Sequence, residues 1–272
     1  MEYYQAIIIG LFQGITEWLP ISSSGQTMLF LINLLKIPPE QAYSYSLLLH
    51  LGTLMALFFK FRYELSKILL KLVLFRWEEE EKFLFYSTLF TGIVGLPLYK
   101  TFKLVASSFN GEAINGIIGI ALILTGIILK KSREAPLEKL EKGLKSEKEE
   151  ATIFDSIIAG VAQGIAVIPG ISRSGMTVGS LLLLGVKQEK AIRLSFLMAI
   201  PAITGALFLE LPEVSRTSEP LTIPLAAVIT AFVVSLLMIE VMLRLAKRLD
   251  FSKFCIFFGF IALIASLLGV LI

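Results

Sequence analysis

The residues best equipped for chemistry lie in two stretches, Gln13–Thr27 (QGITEWLPISSSGQT) and Gln163–Thr177 (QGIAVIPGISRSGMT). The second sets Arg173 between Ser172 and Ser174, with Thr177 one turn further on and Pro169, Gly170 and Gly175 interrupting an otherwise apolar run. An arginine at bilayer depth costs on the order of 2.5–3.5 kcal/mol on insertion scales. Proline and glycine break a helix, and backbone N–H groups come free where it breaks. A broken helix with a cation and hydroxyls is suited to an anion. The first stretch carries Glu17, Ser22, Ser23, Ser24 and Gln26, with Gln13 four residues before Glu17 on the same helix face. A carboxylate at membrane depth lines a polar cavity or pairs with a cation; Arg173 is its partner, or both act on one ligand. An arginine fork with hydroxyls and N–H groups suits a phosphate. Glu17 would then bind a divalent metal, position water or handle protons.

Each of these residues has a plainer reading. Serine and threonine in membrane helices often bond the carbonyl one turn back, and Gln13 and Gln163 can bridge broken backbone. His50 lies in an apolar run with no acidic neighbour in sequence and reads as a hydrogen-bonded core histidine. Asp155 reads as a helix cap and Cys255, the single cysteine, as buried and inert.

The elements that must position these groups are membrane helices. The chain has 272 residues, 56% hydrophobic and 17% charged, against roughly 25% charged in soluble domains. Several apolar runs approach the roughly 20 residues that span a bilayer, without period-2 alternation. An all-α polytopic membrane protein follows. The net charge of +3 sits between apolar runs and does not point to nucleic acid. The start, MEYYQAIIIG, has no basic region, so no cleavable leader is expected. Spans are expected at Gln41–Phe61, Phe83–Tyr99, Ala113–Leu129, Ile192–Leu211, Leu225–Leu245 and Phe254–Ile272, with Tyr63–Phe75 as a short amphipathic surface helix. Lys130–Glu150 reads as a solvated Lys/Glu helix or loop.

A shift of about 150 residues superposes the two motif stretches. Gln13, Gly14 and Ile15 fall on Gln163, Gly164 and Ile165; Ser22, Ser24, Gly25 and Thr27 fall on Ser172, Ser174, Gly175 and Thr177. The charged positions differ, Ser23 facing Arg173 and Glu17 facing Val167. If each stretch is a re-entrant hairpin, the basic connections fall on one side, as the positive-inside rule asks, with Lys100 and Lys103 dissenting. The chain is then one membrane domain of two inverted-topology repeats, residues 1–129 and 151–272, joined by a cytoplasmic linker at 130–150. Each repeat is a helix-loop-helix hairpin plus three transmembrane helices, with a site where the two tips meet.

The motifs QGITEWLPISSSG and PGISRSGMT, with HLGTLMALFFKFR at His50–Arg62 and AIRLSFLMAIPA at Ala191–Ala202, resemble the undecaprenyl-diphosphate phosphatase family of bacitracin-resistance membrane proteins. The resemblance covers nearly the whole chain. It implies hydrolysis of a polyprenyl diphosphate to the monophosphate and inorganic phosphate, recycling the lipid carrier for cell-wall or glycan synthesis. It also implies dependence on a divalent cation, Mg²⁺ or Ca²⁺, and a plasma-membrane site opening to the outer side. Carried over, Glu17, Ser23 and Arg173 are the catalytic residues, with Glu17 also at the metal. Ser22, Ser172, Ser174, Thr177, Gln13 and Gln26 bind phosphate. Many members carry Glu at the position of Gln13 and His at that of Gln26, and the second difference weakens a mechanism that needs an imidazole there. Either Ser23 attacks with Glu17 as base, or metal-bound water attacks. The partners expected are the polyprenyl diphosphate and the bilayer, with a homodimer allowed. The rival reading is a polyprenyl-phosphate flippase that does no hydrolysis.

Overall fold

The computed structural model describes residues 2–141, 148–214, 222–245 and 252–271. They form ten helices: α1 (Tyr3–Thr16), α2 (Ser23–Asn33), α3 (Pro39–Val73), α4 (Glu79–Ser108), α5 (Gly111–Glu141), α6 (Ile153–Ile165), α7 (Arg173–Leu183), α8 (Gln188–Val214), α9 (Thr222–Leu245) and α10 (Ser252–Leu271). Among the described residues there is no strand, only an isolated bridge between Lys148 and Val186. Four helices are long and apolar enough to cross a membrane: α3, α4, the first part of α5 and most of α8. With shorter apolar helices in α6, α9 and α10, the chain is a multi-pass membrane protein.

Helix starts follow local chemistry. Pro39 opens α3 at N1, where its missing N–H costs nothing. Glu78 and Glu81 form a capping box at α4, and Thr152 and Asp155 another at α6. Asp155 is therefore a cap, and Lys148 Nζ lies 3.0 Å from its Oδ1. The expected surface helix Tyr63–Phe75 is instead the end of α3, which runs unbroken to Val73. No proline or glycine interrupts the chain between Phe61 and Val73, so nothing ends the helix there. At 35 residues α3 is about 52 Å long, more than a roughly 30 Å hydrocarbon core needs. Its Lys67 and Lys71 can extend their heads to the interface. Likewise α5 continues to Glu141, so the beginning of the charged linker is helical. Residues 142–147, most of the Pro212–Thr222 connection and the basic pair Lys247 and Arg248 lie outside the described residues.

The helices of the two motif stretches are short, at 14 and 11 residues for α1 and α2 and 13 and 11 for α6 and α7. At roughly 17–21 Å, none reaches across the hydrocarbon core alone. The first helix of each pair packs into the opposite half of the chain, α1 along α9 and α6 along α4, while α2 stays against α3 and α5 of its own half; α3 meets α8 and α5 meets α10. Small residues allow the close approach. A Cβ at Gly14 would sit 2.7 Å from Val234 Cβ, and one at Gly160 would sit 2.5 Å from Ser87 O. Gly10 and Gly14 in α1 match Gly160 and Gly164 in α6, so the same spacing serves the same contact in both halves. Large apolar side chains such as Phe59, Ile93, Ile120 and Leu237 point outward, as they do toward lipid. At the N-terminal ends of α4 and α8, Arg193 makes a bidentate pair with Glu80 (2.8 and 3.1 Å) and also meets Glu64 of α3.

Candidate active site

Glu17 caps the C-terminus of α1, its N–H bonded to Gln13 O. The chain then turns, and Ser22 takes a left-handed conformation (φ 59°) before α2 begins at Ser23. That conformation is uncommon for a residue with a side chain and marks a local constraint. In the second stretch α6 ends at Ile165, Gly170 turns the chain (φ 97°), and Ser172 caps α7. Ser22 and Ser172 play the same part, each Oγ accepting from the N–H three residues on, at Gly25 (3.4 Å) and Gly175 (3.1 Å).

The two turns interlock. Gly170 N–H donates to Ser22 Oγ at 3.0 Å, and Ser174 Oγ donates to Leu19 O at 3.3 Å. A Cβ at Gly25 would lie 2.5 Å from Gly170 N, and one at Gly170 would lie 2.6 Å from Ile118 O. Thr125 of α5 completes the junction, donating to Gly170 O and accepting from Ser172 N–H, both at 3.1 Å. The N-termini of α2 and α7 therefore meet at one place, where the positive ends of the helix dipoles favour an anion.

Glu17 is buried there among four donors from four helices. Oε2 accepts from Ser23 Oγ (2.5 Å) and Gln13 Nε2 (3.1 Å), with His50 Nε2 at 3.1 Å. Oε1 pairs with Arg173 Nη2 at 2.8 Å. Arg173 Nη1 reaches Ser195 O at 3.4 Å. His50 Nδ1 lies 2.7 Å from Ser46 O, so both ring nitrogens face oxygen acceptors, an arrangement that a doubly protonated ring satisfies.

A cavity of about 430 Å³ runs from this cluster. Glu17, Ser22, Ser23, Ser172, Arg173 and Ser174 all line it, as do Ser24, His50 and Gln163. Gln13, Gln26 and Thr177 do not. Gln13 stands behind Glu17 and accepts from Thr27 Oγ1 at 3.3 Å. Thr177 Oγ1 donates to Arg173 O and lies 2.6 Å from Ser195 Oγ. Gln26 is buried with its Nε2 lacking an acceptor among the described residues.

His50 is the group that sequence reasoning set aside. It is far from Glu17 along the chain, and no spacing rule connects them. Only α3 crossing behind the first turn brings the ring to the carboxylate. The sequence signal was confined to a lone polar ring in a long apolar run.

For a divalent cation, the donor set is poor. Among the described residues Glu17 is the one carboxylate on the cavity, and four side chains, one of them the Arg173 guanidinium, already meet it. Among the described residues no group of three His, Cys, Asp or Glu could hold a metal ion. Calcium takes six to eight oxygen ligands and magnesium takes octahedral oxygens, so the chain by itself does not fit a resident cation.

The family model described as bacitracin resistance protein BacA matches residues 6–264. The chain belongs to this family. Among its curated BacA-like relatives, the undecaprenyl-diphosphatase of Methanopyrus kandleri is 41% identical over 270 residues, covering 98% of this chain and 97% of the relative. The undecaprenyl-diphosphatase of Methanothrix thermoacetophila is 38% identical, covering 97% and 96%. That of Saccharolobus solfataricus is 37% identical, covering 97% and 95%. Such coverage at both ends leaves no large segment of either chain unmatched, so the BacA match includes both turns and the helices behind them.

Proposed function

We propose that the chain hydrolyses undecaprenyl diphosphate, or a close polyprenyl diphosphate, to the monophosphate and inorganic phosphate. The observation that carries this reading is the contact series Ser23–Glu17–Arg173 at the head of an apolar cavity, with Ser23 and Arg173 opening α2 and α7. The named activity of the relatives supports it.

In this reading the terminal phosphoryl group sits between the N-termini of α2 and α7, and Arg173 grips its oxygens as a fork. An arriving phosphate draws Arg173 from Glu17 Oε1, which frees Glu17 to take a proton. Ser23 Oγ attacks phosphorus while its proton passes to Glu17 Oε2, and the P–O bond to the lipid monophosphate breaks. Water then cleaves the phosphoseryl group: Glu17 returns the first proton to the departing Ser23 Oγ, takes one from the attacking water, and releases it to solvent with the inorganic phosphate. Direct attack by water, with Ser23 as a phosphate ligand, uses the same groups. His50 and Gln13 hold the carboxylate in place. A divalent cation belongs to this proposal only as a companion of the diphosphate, whose oxygens rather than the chain supply its ligands.

The same reading takes α1–α2 and α6–α7 as re-entrant hairpins of two inverted repeats, residues 1–129 and 151–272. The pattern of packing across the halves supports this. In this reading the multi-pass chain sits in the plasma membrane with the site opening outward, recycling a lipid carrier and conferring bacitracin resistance. A homodimer is compatible with it. The packing pattern also favours a second reading, a flippase for polyprenyl phosphate, because repeats of this kind serve alternating access.

The discriminating experiment is phosphate release from undecaprenyl diphosphate by purified protein, with and without EDTA. Release supports hydrolysis; lipid scrambling without release supports the flippase. Loss on EDTA that Mg²⁺ or Ca²⁺ restores supports the cation, and unchanged turnover removes it. Glu17→Gln and Arg173→Ala are each expected to cut release by about 100-fold or more. Near wild-type turnover in either variant refutes the site.

A further inference from the structure

The cavity that begins at Glu17, Ser23 and Arg173 continues between α4 and α8, where its walls become apolar. Gly92 of α4 and Gly205 of α8 both stand on that wall. A Cβ built on either meets no atom within 4 Å. On the opposite face of α4 the situation is reversed. There Gly160 and Gly164 of α6 are required by close packing, with Cβ positions 2.5 Å from Ser87 O and 2.8 Å from Val94 Cβ. No such contact requires glycine at 92 or 205, and glycine inside a helix weakens it relative to alanine. What these two glycines maintain is open space.

The two positions are also level with each other. Arg193 and Glu80 clamp the N-terminal ends of α8 and α4 together. Gly205 lies twelve residues past Arg193 and Gly92 twelve past Glu80, so both are about 18 Å from the clamp at 1.5 Å per residue. Two bare stretches of backbone thus border the cleft at one depth. Beside them Ile93 (56% exposed) and Phe208 (70%) are turned outward, so the gap adjoins the lipid-facing surface.

We infer that the gap between Gly92 and Gly205 is the passage through which the prenyl chain of the substrate leaves the site for the bilayer. The occupant is fixed by continuity: a ligand filling both ends of this one cavity has an anionic head at Arg173 and a slender apolar chain at the glycines. The inference rests on the phosphatase reading above and adds the side of the molecule on which the chain exits. It also makes Gly92 and Gly205 determinants of which chains fit, since a methyl-branched isoprenoid is bulkier than a straight acyl chain.

The test uses the full-length protein in detergent. Gly92→Leu and Gly205→Leu are expected to raise KM for undecaprenyl diphosphate about tenfold or more with kcat changed less than about threefold, because they obstruct binding and not chemistry. Ile93→Phe, which adds bulk on the same helix outside the cavity, should change neither. Unaltered KM in both leucine variants overturns the inference. A second measurement needs no variant: a farnesyl diphosphate analogue carrying a benzophenone at its tail should label α4 or α8 of the wild-type protein, and excess undecaprenyl phosphate should suppress the labelling. Labelling elsewhere, or labelling that excess undecaprenyl phosphate leaves intact, overturns it. If wild-type protein releases no phosphate yet is labelled competitively at α4 or α8, the functional reading fails while the passage stands.

Discussion

Four donors converge on Glu17 from α1, α2, α3 and α7. A buried ion pair of this kind is not a net source of stability, but removing one partner leaves a charge uncompensated at about 3–5 kcal/mol. Arg173→Lys should therefore be tolerated by the fold and still impair turnover, because a point charge replaces a planar fork. His50 gives the sharper test. His50→Phe keeps a ring of similar size but removes both ring nitrogens, and loss of a hydrogen bond to a charged group is worth about 1.5–3 kcal/mol, or roughly 10- to 100-fold. The expected result is a fall of that size in kcat with little change in KM, measured by phosphate release. A wild-type kcat would make the His50 contact with Glu17 incidental. Glu17 and Arg173 stood out in the sequence because a charge inside an apolar run is costly unless a polar cavity or a partner receives it, whereas Ser23 was singled out only by the family resemblance. Gln26 and Thr177 looked equivalent to them by spacing, yet helix rotation turns both away from the cavity.

At the level of elements, the two turns work because backbone meets backbone. Gly170 combines a left-handed φ with a Cβ position 2.6 Å from Ile118 O and 2.6 Å from Ala121 Cβ. Gly170→Ala should destabilise the protein by about 1–3 kcal/mol and lower its unfolding midpoint in detergent. Gly92→Ala, at an open helical position, should hold the midpoint or raise it. Equal midpoints for wild type and Gly170→Ala would contradict the interlocked turns. The breaks themselves could be read from Pro, Gly and Ser. The end of α3 could not, because an amphipathic Lys/Leu pattern looks the same whether the helix lies on a membrane or projects beyond it.

For the whole molecule, the open question is orientation, and the single cysteine makes it accessible. Cys255 is buried with its Sγ 3.3 Å from Pro20 O, so Cys255→Ser should give a quiet background. In that background Lys67→Cys should react with a membrane-impermeant maleimide only after the cell is opened, and Lys103→Cys should react in intact cells. The reverse pattern would turn the protein over and place the site on the other face. Lys60 joins Glu240 at 2.6 Å across α3 and α9, and Arg193 joins Glu80 and Glu64 across α8, α4 and α3. The exposed Lys60–Glu240 pair contributes little stability, whereas the part-buried Arg193 pairs tie the N-terminal ends of α4 and α8 together beside α3.

The sequence by itself determined the helical class, the two broken segments, their kinship across about 150 residues, and the pairing of an acid from one with an arginine from the other. Those features are local: apolar run length, helix-breaking residues and charge in a medium that excludes it. Only the tertiary structure decided that α1 packs along α9 and α6 along α4, that α3 carries His50 to Glu17, and that Gly92 and Gly205 border one cavity. These depend on how helices rotate and approach one another, which small residues permit but do not specify.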